Sequence, residues 1–200
     1  MKHPLVDKPR SAVRVLFPLQ SPASLTLTNT DRMAEAEWTS IFQIQANSLK
    51  EEDSWCLEFD NSLVPNSPKR GWEEYIRKTA AQFRCSKCKR RWPSNHVMVV
   101  FHMKLTDGQG VVKVRRFRQD CKKCNEAPME EPSIDAEHID VLMENLVKKI
   151  RIKCYHEKLD RGDRHFTKYD SRSQHEPTHC EGCKHGICSL DLKLKLLSLS

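Results

Sequence analysis

No apolar run in the chain approaches the roughly 20 residues that a helix needs to cross a bilayer. Hydrophobic residues make up only 38% of its 200 positions. The first absence makes the chain as given read as soluble. The second limits the core to modest size, with solvated segments around it and covalent or metal staples replacing part of the missing apolar contact. A secretory leader is missing too, since it requires a basic start, an unbroken apolar stretch and a small-residue cleavage site. The apolar stretch near the start, Val13–Leu19, is interrupted by Arg14 and Pro18. A reducing compartment follows, and there a disulfide framework is not the default reading of cysteine. Nor does the chain carry the deaminase pattern of His-x-Glu ahead of Pro-Cys-x-x-Cys.

Against these absences stand nine cysteines, and six of them form three Cys-x-x-Cys pairs: Cys85 with Cys88, Cys121 with Cys124, and Cys180 with Cys183. Thiol redox chemistry uses one exposed pair beside a βαβ unit rather than three pairs. Zinc needs four tetrahedral ligands, and a Cys-x-x-Cys turn directs two thiolates at one point. Closed structural sites fit better than a catalytic centre with an open position, so the chain reads as a non-enzyme. Each such site supplies on the order of 10 kcal/mol of folding free energy.

The segments around the pairs predict an α+β fold. Residues 1–32, with Pro4, Pro9, Pro18 and Pro22, read as a disordered leader, residues 33–190 as the zinc-finger domain, and residues 191–200 as a tail. Helical spacing recurs in Trp38, Ile41, Phe42, Gln45 and Leu49, and again in Trp72, Tyr75, Ile76, Ala80 and Phe83. A longer stripe runs from Ile139 to Cys154 behind Ser133, a suitable N-cap. Helices are therefore expected near 36–50, 72–83 and 134–153. Ser54–Phe59 suits a short strand. Val97–Leu105 and Val111–Arg118 suit a hairpin turned at Asp107-Gly108, flanked by the first two pairs in the order of a zinc ribbon. The polar stretch 155–178 reads as a mobile loop.

Two full sites need eight ligands. Local pairing puts Cys85, Cys88, Cys121 and Cys124 around one zinc, and Cys180, Cys183 and Cys188 with one further group around a second. His102, beside Met98 and Val100 on the strand face opposite Phe101, is the first candidate for that group, and Cys154 is the runner-up. Cys154 equally fits the apolar stripe of its helix, and Cys56 reads as a small buried hydrophobe. His179 and His185, next to the third pair, rank lower. Interleaved pairing of the knuckles is equally legal chemically.

The net charge is +7. Arg84, Lys87, Lys89, Arg90 and Arg91 crowd the first knuckle, and Lys113, Arg115, Arg116, Arg118, Lys122 and Lys123 the second. With Trp92 and Phe117 nearby, such a surface suits single-stranded RNA. The plainer reading is a solvated face.

Taken together, these residues resemble the receptor-transporting protein family and its three-CxxC zinc finger. The resemblance rests on Trp38 with Ile41-Phe42, Gly71-Trp72-x-x-Tyr75, Phe83-x-Cys85-x-x-Cys88, Trp92-x-Ser94, Val100-Phe101-His102-Met103, Val112-x-Val114-Arg115-x-Phe117-x-Gln119-x-Cys121-x-x-Cys124, Asn145-Leu146, Cys154-Tyr155 and Cys180-Glu181-x-Cys183. It implies an accessory or chaperone role in moving chemosensory-type G-protein-coupled receptors to the cell surface. It also implies an alternative, that of interferon-induced members resembling antiviral RNA-binding factors. Members are typically tail-anchored, with the finger on the cytosolic face of the endoplasmic reticulum or plasma membrane. This chain reaches Ser200 without an apolar anchor, so a cytosolic or peripheral protein is expected.

Overall fold

In the computed structural model, residues 29–159, 162–169 and 175–188 are described. The order of elements is α1 (Asn29–Ala46), β1 (Ser54–Phe59), β2 (Glu73–Arg84), β3 (Arg91–Thr106), β4 (Gln109–Arg116), α2 (Ala136–Lys153), a 3-10 turn over Pro177–His179, and the single-turn helix α3 (Glu181–Lys184). The strands form one sheet in the order β1-β4-β3-β2. β1 runs parallel to β4, and the other two pairings are antiparallel.

The β3–β4 hairpin turns at Asp107-Gly108, both at positive φ, the backbone that a two-residue turn of this hand requires. α2 is capped by Asp135, whose carboxylate accepts from the His138 amide. Ser133, the cap expected from the sequence, instead exchanges two backbone hydrogen bonds with Gln82 at 2.8 and 2.9 Å. Helix α1 begins at Asn29, within the stretch read as a leader, and the remainder of that stretch and the tail lie outside the described residues.

One expected helix is a strand. Residues 72–83 carry apolar groups at helical spacing, yet β2 occupies Glu73–Arg84. Both faces of the strand are covered, so adjacent apolar residues serve different cores. Tyr75 enters the main core, while Ile76 packs on the second cluster behind the sheet. A bulge between Thr79 and Ala81 then shifts the alternation by one residue. Two-sided burial and a bulge together imitate a period of 3.6.

The main core lies between one face of the sheet and helices α1 and α2, with Trp38, Phe42, Phe101, Met103, Leu142 and Leu146 fully buried. β1 approaches β4 closely at Gly110, where any Cβ would fall inside the Trp55 indole. The opposite face carries Met98, Val100 and Phe117, sealed by Ile187 from the C-terminal segment. Described residues 162–169, expected to be mobile, cross α2 and β3 as a strap. Arg164 exchanges hydrogen bonds with the fully buried Asn145 at 2.7 and 2.8 Å, and Tyr169 does so with Asn95 at 2.9 and 3.0 Å.

Candidate metal centres

The first knuckle is the turn between β2 and β3. Lys89 adopts positive φ, and its amide donates to Cys85 O at 3.0 Å, while Cys85 N donates to Arg90 O at 2.8 Å. The second knuckle follows β4, with Cys124 N donating to Cys121 O at 3.1 Å. Hairpin pairing brings the two together. Cys85 Sγ stands 3.8 Å from Cys124 Sγ, and Cys88 Sγ 3.8 Å from Cys121 Sγ. All four sulfurs lie within 4.8 Å of one another. Four thiolates at about 2.3 Å from a tetrahedral zinc stand about 3.8 Å apart, so the cluster matches a zinc site. A disulfide needs about 2.05 Å, and every cysteine among the described residues is free.

The third knuckle lies on the back of the sheet. Asp120 N donates to His179 O and Glu181 N to Arg118 O, both at 3.0 Å, which fixes the segment along the end of β4. The approach is close: a Cβ on Gly182 would stand 2.9 Å from Cys188 Sγ and 3.1 Å from Met98 Cγ. Ile187 N then donates to Gly182 O at 3.0 Å, carrying Cys188 back to Cys180 with the sulfurs 3.8 Å apart. The fourth donor is His175, whose Nε2 stands 3.0 Å from Cys183 Sγ. These four also lie within 4.8 Å of one another, a Cys₃His set that suits zinc.

The eighth ligand expected from the sequence is therefore displaced. His102 is buried on β3, but its Nε2 meets Oε2 of Glu74, the residue directly across from it on β2, at 2.9 Å. It stands apart from both donor groups. Cys154, the runner-up, caps the C-terminus of α2 against the main core, where burial and then Glu73 push its thiol up to about 11. Cys56, read as buried, lies on the exposed side of β1. His179 Nδ1 pairs with Asp120, and His185 packs edge-on to Phe117 at 5.4 Å.

The residues His175-Glu176-Pro177-Thr178-His179 carry the spacing His-Glu-x-x-His. In metalloproteases that spacing works because a helix sets both imidazoles on one face. Here Pro177 opens a 3-10 turn, and the imidazoles diverge to Cys183 and Asp120. With four donors in each group, neither group offers the three-ligand set of a catalytic zinc.

Glu181, within the third knuckle, ties the back of the sheet together. Its carboxylate accepts from Arg118 N at 2.8 Å, Arg118 Nη2 at 3.0 Å and Arg115 Nη2 at 2.8 Å. Burial alone would raise its pKa, but the hydrogen bonds and charge of Arg118 and Arg115 hold it at about 2. Arg115 also donates to Leu63 O at 2.5 Å.

The expected basic surface is divided accordingly. Arg115 and Arg116 are buried, and Arg116 lies over the Phe59 ring at 4.8 Å and 3.6 Å from Glu131. Lys113 pairs with Asp60 at 3.0 Å and Arg118 with Glu181, both half-buried. Arg90 and Trp92 are half-buried, while Arg84, Lys87, Lys89, Arg91, Lys122 and Lys123 are exposed around the first centre. Charge clusters in the sequence thus serve two purposes, internal ion pairing on β4 and solvent exposure on the knuckles.

Comparison with known proteins places these centres. The three-CxxC zinc-ribbon family, described as a zinc-binding domain, matches residues 78–186. Receptor-transporting protein 1 of Macaca fascicularis is 34% identical over 188 residues, covering 91% of this chain and 72% of that protein. Receptor-transporting protein 2 of Mus musculus is 33% identical over 168 residues, covering 82% and 75%. For receptor-transporting protein 3 of Mus musculus the identity is 35% over 157 residues, which is 76% of this chain but only 33% of that longer protein. No solved structure matches. The two donor groups and the zinc-binding domain between them assign two zinc ions to the chain, which belongs to the receptor-transporting protein family.

Proposed function

We propose that the chain is a zinc-stabilised accessory protein that promotes movement of chemosensory-type G-protein-coupled receptors to the cell surface. In this reading Cys85, Cys88, Cys121 and Cys124 hold one zinc, and His175, Cys180, Cys183 and Cys188 hold the other. The ions are structural, and they lock loops that the sheet alone would not order. The protein acts by presenting a rigid surface to a client rather than by chemistry, at the cytoplasmic face of the endoplasmic reticulum or plasma membrane. No helix among the described residues is long and apolar enough to cross a membrane, so such a location calls for attachment outside those residues or through the client.

The observation that carries the reading is the match along 91% of the chain to a protein named for receptor transport, with all three knuckles inside the family's zinc-binding region. The test is co-expression with a panel of chemosensory-type receptors and live-cell staining of surface receptor. A rise in surface receptor with the intact chain, lost in Cys85→Ser/Cys121→Ser, is expected. An unchanged surface level across the panel, with zinc-loaded protein present in the cells, would overturn it.

A further inference from the structure

The loop over residues 60–72 joins β1 to β2 and is tied down at several points. Leu63 and Pro65 are buried, and Arg115 donates to Leu63 O at 2.5 Å. The Asn66 amide donates to the Glu74 carboxylate at 2.9 and 3.1 Å, and Trp72 N donates to Lys69 O at 2.9 Å. Within these anchors, residues 66–70 are all exposed. Pro68 disfavours helical backbone at Ser67, the residue before it. A short extended segment is thus preformed on the surface, so a partner that grips it meets little ordering cost.

The Ser67 hydroxyl stands apart from those of other exposed serines. Ser48 donates to Gln45 O at 2.8 Å, Ser54 to Gln109 Oε1 at 2.9 Å, Ser62 to Asp60 Oδ1 at 2.5 Å and Ser86 to Glu130 Oε1 at 2.7 Å. Ser40 is locked in helix α1, and Ser133 in backbone pairing with Gln82. Ser67 Oγ has no hydrogen-bond partner among the described residues. The three positions after it are Pro68, Lys69 and Arg70. Neither cation forms an ion pair among the described residues.

We propose that Ser67 is a phosphorylation site for a proline-directed serine kinase that also reads a cation three positions after the acceptor. Such a cleft selects the fixed φ and missing N–H of Pro68, and an anionic subsite takes the Arg70 guanidinium. Ser67 Oγ attacks the γ-phosphorus of ATP, the bond from that phosphorus to the β-phosphate oxygen breaks, and ADP leaves. The hydroxyl proton passes to the kinase's catalytic aspartate. The phosphate brings a charge of about −1.5 to −2 to a segment that holds Lys69 and Arg70 and no acidic residue. Residues 66–70 thereby change from cationic to near neutral, which switches the electrostatics of this face of the protein. Ser21-Pro22, the other Ser-Pro pair of the sequence, has Ser24 in the place of Arg70 and is the poorer substrate.

The test incubates the full, zinc-loaded chain with a recombinant proline-directed serine kinase and radiolabelled ATP, and mass spectrometry locates the phosphate. Phosphate at Ser67 is expected. Ser67→Ala keeps its zinc content and loses most of the label. Pro68→Ala keeps the hydroxyl, and kcat/KM for labelling Ser67 falls about tenfold or more. Chain recovered from cells under phosphatase inhibition carries the same phosphopeptide. Label confined to Ser21, or equal labelling of the intact chain and Ser67→Ala, overturns the proposal. Equal labelling of Ser67 with and without Pro68 overturns it too, since the serine is then merely exposed. So does absence of the Ser67 phosphopeptide from the cells.

Discussion

Glu181→Gln tests whether the second centre is fastened to the sheet by a buried charge. The side chains of Glu181 and Arg115 are each 9% exposed, and their ion pair spans 2.8 Å. Removing one partner of such a pair costs about 3–5 kcal/mol, because the other charge stays buried. Arg118 is 34% exposed and keeps a second carboxylate, Glu131, at 3.9 Å, so little of the loss falls on it. The lower end of the range, about 3 kcal/mol, therefore applies. A chain of this size loses about 2–4 °C of Tm per kcal/mol, which gives a fall of about 6–12 °C. Circular dichroism melts at saturating zinc measure it. In parallel, Glu181→Leu/Arg115→Met removes both charges and recovers most of the loss, since an apolar pair of similar volume tolerates burial. A single variant melting within about 2 °C of the parent would refute the reasoning.

Other substitutions probe separate contacts. Gly182→Ala places a methyl group 2.9 Å from Cys188 Sγ, and chelator competition should show the second zinc lost about tenfold or more readily with the first unchanged. Arg116→Ala removes a guanidinium over Phe59 and Trp38, and urea unfolding should show a cost of about 1–3 kcal/mol. Asp135→Ala deletes the cap of α2 and the acceptor of the Tyr169 hydroxyl at 2.6 Å. It should cost about 1–2 kcal/mol and increase amide exchange in the 162–169 strap.

How far the sequence could be read follows from which contacts are local. The Asp107-Gly108 turn and the two flanking Cys-x-x-Cys pairs are set by neighbouring residues, and the hairpin then brings Cys85, Cys88, Cys121 and Cys124 together. The α2 stripe was readable because only one face of that helix is strongly apolar. β2 was not, because Tyr75 is buried on one face, Ile76 is half-buried on the other, and the bulge between Thr79 and Ala81 breaks the alternation. His175 was missed because it lies five residues before Cys180 in a polar stretch, with His179 and His185 nearer the knuckle. A signal was present in the count, since three thiolates at the third knuckle needed one nearby imidazole. What separates the candidates is tertiary: Asp120 engages His179 and Phe117 engages His185. Arg115 and Arg116 look solvated in a run of charge, yet their partners Glu181 and Glu131 are remote in sequence.

Zinc stoichiometry on purified protein, with single substitutions at each donor, tests the account most directly. The intact chain should carry two zinc ions. Cys85→Ser, Cys88→Ser, Cys121→Ser and Cys124→Ser should weaken one ion, and His175→Ala, Cys180→Ser, Cys183→Ser and Cys188→Ser the other. His102→Ala should leave both in place. One zinc per chain, loss of an ion with His102→Ala, or losses that couple Cys180 and Cys183 to one of the earlier knuckles would contradict it.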